Sequence, residues 1–252
     1  MSVTIHSKGI GIGRLIPRVI YYETEDSNVA NKACTFNWPG IDCKFNFFLY
    51  ELYNFHVELE VYGPKSWKIA TREYSRSFTR AQCSMSRVLM ENIHFNLECL
   101  KEQGPRVQFM TSPRELKYTI GGNRYRTRVE GAAIVGPRAQ YLPIISFTGT
   151  WNEFLMETYC TMLGQLTRNL SILQTGFEDQ EVFIVGFHRP YLHITHRYFP
   201  EGLITRAFSL KFTPGYNLCF KEDWLEVICV LSRLLRYIIS GKVKVGAVQV
   251  NM

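Results

Sequence analysis

No two of the seven cysteines, Cys34, Cys43, Cys83, Cys99, Cys160, Cys219 and Cys229, form a C-x-x-C pair. Their scatter and odd number argue against a disulfide scaffold and a zinc ribbon, and a thiol inside an apolar helical pattern behaves as a small hydrophobe. A reducing compartment is the simpler expectation. No window reaches the roughly 18 uninterrupted apolar residues of a membrane span, and residues 1–18 lack a basic region followed by a continuous apolar core. A soluble intracellular protein, cytoplasmic or nuclear and without a membrane partner, is therefore expected. Internal repeats and low-complexity tracts are missing too, which removes repeat arrays from consideration.

Two further absences narrow the chemistry. Gly9, Gly11 and Gly13 alternate, but the Lys-Ser/Thr ending and the preceding strand of a phosphate loop are lacking, so an edge strand or flexible N-terminus is expected. His193 and His196 fall on opposite faces of any strand, and neither a helix-borne histidine pair nor a cysteine partner is near, so zinc is not expected.

What is present is an ordinary globular composition: 252 residues, 46% hydrophobic and 20% charged. That suffices for one large domain, or one domain with an N-terminal addition. Lys and Arg number 29 against 22 acidic residues, a formal charge of +7. Such a surplus permits an anionic partner such as DNA or RNA without requiring one.

Along the chain, residues 55–61 alternate apolar and polar as a half-buried strand does, Gly63-Pro64 breaks the pattern, and residues 67–74 are a candidate partner strand. Glu58 and Glu60 share a face there, either as metal ligands or as a solvated edge. Residues 77–101 carry Val88, Leu89, Ile93, Leu97 and Leu100 near helical spacing, with Ser77 or Thr79 as cap and Gly104-Pro105 as terminator. Glu91 and Glu98 lie two turns apart on that helix, as surface glutamates or with one directed into a site.

Residues 107–110 and 116–120 read as strands, and Gly121-Gly122-Asn123 is a strong hairpin signal. Next come two β-branched strands, residues 126–135 and 141–148, joined at Gly136-Pro137. Arg124, Arg126 and Arg128 recur at period two, so their guanidiniums share one face, while Tyr125, Thr127 and Val129 take the other. Either the arginines contact phosphates or they guard an exposed hairpin against edge association.

Residues 151–173 form a helical pattern through Phe154, Leu155, Tyr159, Met162, Leu163, Leu166 and Leu170, with Glu153 and Glu157 where negative charge suits the helix dipole. Strands follow at 181–187, 191–198 and 204–212, then a helix at 221–240 with Ile228, Leu231, Leu234, Leu235 and Ile238 inward. The order from residue 77 is helix, a run of strands, helix, three strands, helix. It predicts an α/β fold, a mixed β-sheet flanked by helices, with residues 1–76 as a partly β extension packed on the core of residues 77–252.

That order, with Glu130-Gly-Ala-Ala-Ile-Val, then Leu142-Pro-Ile-Ile-Ser146-Phe-Thr148, resembles the core of the PD-(D/E)XK nuclease-like fold. The likeness extends to nuclease-like domains common in fungal proteins and beside fungal kinase-like domains, through Ile184-Val-Gly186-Phe187 and the helix bearing Trp224. The decapping exonucleases are similar too, with a Gly-Phe strand after the long helix. The resemblance implies Glu130 at the first acidic position, Ser146 in place of the second acid and Thr148 in place of the lysine. Acidic groups in that fold hold Mg²⁺ or Mn²⁺ through oxygen, and the lysine orients water and stabilises phosphate charge. With two hydroxyls there, the expectation is a degenerate site, weak in metal through Glu130 and without robust hydrolysis, binding nucleic acid or a protein partner. The active alternative relocates the lost carboxylate to Glu153, Glu157 or Glu91, with Gln165 as a supporting polar group and Arg126 or Arg128 standing in for the lysine.

Overall fold

The computed structural model describes residues 4–16, 50, 72–97, 107–110, 112–135, 140–147, 150–173, 179–189, 191–200, 207–217, 221–240 and 243. The strand expected at residues 55–61, Glu58, Glu60, Glu98, Thr148 and the turn at Gly136-Pro137 lie outside them.

The elements in chain order are β1 Thr4–Gly9, the single turn α1 Ile12–Leu15, α2 Arg72–Leu97, β2 Val107–Met110, β3 Arg114–Ile120, β4 Asn123–Val129 and β5 Gly131–Val135. There follow β6 Gln140–Phe147, α3 Trp151–Leu173, β7 Gln180–His188, β8 Tyr191–Phe199, β9 Ala207–Phe212, β10 Tyr216–Asn217 and α4 Lys221–Ile239. The expected α/β architecture is present: a mixed sheet in the order β1-β9-β8-β7-β6-β5-β2, with β10 beside β8, flanked by helices. β6 and β7 run parallel, Ile144 opposite Val185, because α3 crosses between them. β5–β6, β2–β5, β7–β8 and β8–β9 are antiparallel.

Strand alternation gives the sheet two apolar faces. On one, Leu142 and Ile144 of β6 and Phe183, Val185 and Phe187 of β7 pack with α2 and α4. On the other, Ile145, Val182 and Ile184 pack with Phe154, Tyr159 and Met162 of α3. The result is three layers, helix pair, sheet, helix. The Gly-rich N-terminus does supply an edge strand: β1 pairs in parallel with β9, Thr4 opposite Ala207.

Two boundaries correct the sequence reading. Helix α2 begins at Arg72, so Ser77 and Thr79 lie inside it and not at its cap, and residues 72–74 are helical, not part of a strand. Nothing between Pro64 and Gly104 breaks a helix, since that interval contains neither glycine nor proline.

The second correction is at the centre of the chain. Residues 126–135 are not one strand. β4 belongs to a separate two-stranded sheet with β3, β5 belongs to the main sheet, and Glu130 is the bend between them. Glu130 N donates to Ile144 O at 3.0 Å as the chain enters the main sheet. Gly131 is required there, because a Cβ would stand 2.6 Å from Cys83 Sγ on α2 and 2.9 Å from the Met110 carbonyl of β2.

Candidate functional site

The β3–β4 hairpin turns on Gly121 and Gly122, whose φ values of 56° and 81° are the left-handed pair that a two-residue hairpin turn demands. Its register sets Glu115 opposite Arg128, Lys117 opposite Arg126 and Thr119 opposite Arg124. Leu116, Tyr118, Thr127 and Val129 alternate with these and are buried. Leu116 and Val129 belong to the core of α3, and Gly164 of α3 lets the hairpin close, since a Cβ there would meet Leu116 Cβ at 2.6 Å.

Polar contacts lock the same interface. Thr127 Oγ1 donates to Glu157 Oε1 at 2.5 Å and lies 3.3 Å from Thr161 Oγ1. The Tyr118 hydroxyl donates to the Cys160 sulfur; burial first, then that bond, raises the tyrosine pKa. Tyr125 stacks on Tyr118, ring centroids 5.6 Å apart and planes within 17°.

The outward face is basic. Lys117, Arg124, Arg126 and Arg128 are all exposed on it. Two carboxylates temper them: Glu115, 3.4 Å from Arg126 Nη1 and 4.0 Å from Lys117 Nζ, and Glu130, whose Oε1 is 3.1 Å from Arg128 Nε. Exposed pairs of this kind contribute about 1 kcal/mol or less, so the cations exchange readily onto a phosphate. Arg124 has no ion-pair partner among the described residues.

The acidic positions take separate partners. Glu130 faces Arg128, and its charge, after burial, helps push the Cys83 thiol up to about 12, with Arg87 opposing. Glu91 accepts from Arg87 Nη1 at 2.7 Å, one turn away on α2. Glu153 closes the N-terminus of α3, accepting from Thr150 N at 2.8 Å and Thr150 Oγ1 at 2.9 Å, while its own N–H donates to Thr150 Oγ1 at 3.4 Å, the reciprocal arrangement of a capping box. Those two bonds hold its carboxyl below the usual range. Glu157 is engaged by Thr127, and Gln165 is buried, donating to Asn169 Oδ1 at 2.7 Å, whose amide donates in turn to Gln180 Oε1 at 3.2 Å.

The structure thus unites Arg124, Arg126 and Arg128 on one surface with Glu130 at its end. It sets Glu91 on α2 and Glu153 and Glu157 on α3, helices on opposite faces of the sheet. Among the described residues no three His, Cys, Asp or Glu side chains group to hold a metal ion. Ser146 pairs with Phe187 in the backbone register of β6 and β7.

Lys117 was missed as a member of this surface. The alternation of residues 114–120, folded back through the two-glycine turn, places Lys117 across from Arg126 and is the signal that finds it. Compared with known proteins, the chain matches no family model and no curated protein sequence.

Proposed function

We propose that this chain is a degenerate PD-(D/E)XK nuclease-like protein that binds nucleic acid without robust hydrolysis. The succession α2, antiparallel β2-β5-β6, crossover α3 and parallel β7 supports the reading, because helix, three-strand meander, helix and strand is the order of that fold, the β3–β4 hairpin then being an insertion. Hydroxyl residues at the Glu-x-Lys positions, Ser146 and Thr148, support the loss of hydrolysis, since neither supplies the charge that holds Mg²⁺ or stabilises a phosphorane.

The observation that carries binding is the outward hairpin face, where Lys117, Arg124, Arg126 and Arg128 stand exposed. Arginine forks match phosphate geometry, and contacts of this kind release counterions. Fluorescence anisotropy with labelled DNA and RNA at several salt concentrations tests it. Affinity falls steeply with salt, and Arg124→Ala/Arg126→Ala/Arg128→Ala weakens binding and flattens the slope. Binding indifferent to salt, or retained by the triple variant, removes the phosphate role; no binding at all points to a protein-interaction module. Cleavage with Mg²⁺ or Mn²⁺ that Glu130→Ala abolishes restores the active nuclease with relocated carboxylates.

A further inference from the structure

We propose that the hairpin takes single-stranded nucleic acid, with Tyr125 as a base-stacking platform on the face of β4 opposite the arginine stripe; the inference rests on the nucleic-acid reading above and names its ligand class. Tyr125 lies between Arg124 and Arg126 in β4 and is 46% exposed, one of few large hydrophobic side chains so displayed among the described residues. Its ring is fixed from beneath. Tyr118, only 6% exposed, stacks against it at 5.6 Å and is itself tied to Cys160 on α3. A ring already immobilised loses little conformational freedom when a base stacks on it. An exposed tyrosine held this way, flanked by exposed arginines, combines the two elements of single-strand recognition, a π-face and a phosphate-tracking charge.

Geometry favours a single strand over a duplex. The arginines and Tyr125 project from opposite faces of β4. Beyond β3, no second strand pairs with β4 among the described residues. A single strand running along that edge gives phosphates to one face and turns a base over to the other. A base already paired in a duplex cannot make that turn.

Anisotropy titrations of the full chain with fluorescein-labelled dodecathymidylate and with a duplex of the same length test this. The single strand is expected to bind more tightly. Tyr125→Leu, which keeps an apolar cover on Tyr118 but removes the π-face, weakens it about tenfold, leaves duplex binding unchanged and does not alter the salt slope; Tyr125→Phe retains affinity. The arginine triple variant instead lowers the slope by about 0.7 per lost contact. Equal or tighter duplex binding, or an unchanged Tyr125→Leu affinity alongside a weakened arginine variant, overturns the single-strand inference while leaving nucleic-acid binding intact. If neither oligonucleotide binds, both readings fall together.

Discussion

His193 is enclosed by rings, with Trp151, Phe154 and Phe212 centroids at 5.1, 5.8 and 6.4 Å. Burial pushes its pKa down to about 4; a backbone contact with Thr213 opposes this and the neighbouring His188 adds to it. The unfolded chain takes up this proton near pH 6.5 and the folded chain only near pH 4, so the neutral ring favours the native state above 6.5 and that stability drains away as pH falls to 4. Over that window the group accounts for up to about 3 kcal/mol. Chemical denaturation at pH 7.5 and pH 4.5 should show the fall, and His193→Gln should reduce the difference; an unchanged pH dependence in the variant refutes the assignment. The opposite facing of His193 and His196 was legible from strand alternation, and His196 does lie across the sheet, stacked on Phe183 at 4.5 Å. The depth of burial was not legible, because it depends on Trp151 arriving from another element.

Helix α3 covers the residues its apolar spacing predicts, 151–173, since capping box and periodicity agree at its start. The strand expected over residues 126–135 reads as continuous because β-branched and small residues follow one another through Glu130. Only the close packing of Gly131 against Cys83 and Met110 shows why the chain bends there, and such long-range contacts leave no local trace in sequence. The same break sets the site: Glu130 lies not within a strand but at the bend between β4 and β5, paired there with Arg128, the last of the stripe. Gly164 tests how tightly hairpin and helix are joined. Alanine there gains about 1 kcal/mol of helix propensity, yet its Cβ meets Leu116 Cβ at 2.6 Å and Thr127 Cγ2 at 3.3 Å. Neither neighbour is the far end of a flexible side chain, so overpacking of about 1–3 kcal/mol prevails. Gly164→Ala should lower stability by up to about 2 kcal/mol in a denaturant titration; a more stable variant would mean the hairpin rides loosely on α3.

At the scale of the molecule, the layered α/β arrangement follows from the alternation of helical and strand periods, whereas the pairing of β1 with β9 does not. The parallel match of Thr4–Gly9 with Ala207–Phe212 is made by backbone hydrogen bonds between segments remote in sequence, and edge pairing of that kind needs no distinctive side chains. The two cores on opposite faces of the sheet raise the question of whether they unfold as one. β6 contributes Leu142 and Ile144 to one core and Ile145 to the other, and β7 divides Phe183 and Val185 from Val182 and Ile184 in the same way. Neither face can lose its packing without disturbing strands that the other requires, so unfolding is expected to be cooperative across the sheet. Leu234 of α4 and Met162 of α3 are both fully buried, one in each core. Leu234→Ala and Met162→Ala should each cost about 2–5 kcal/mol and shift one transition, coincident by far-ultraviolet circular dichroism and tryptophan fluorescence. A variant that splits the transition, or moves one probe and not the other, would show that the faces fold as separate units joined only through the strands.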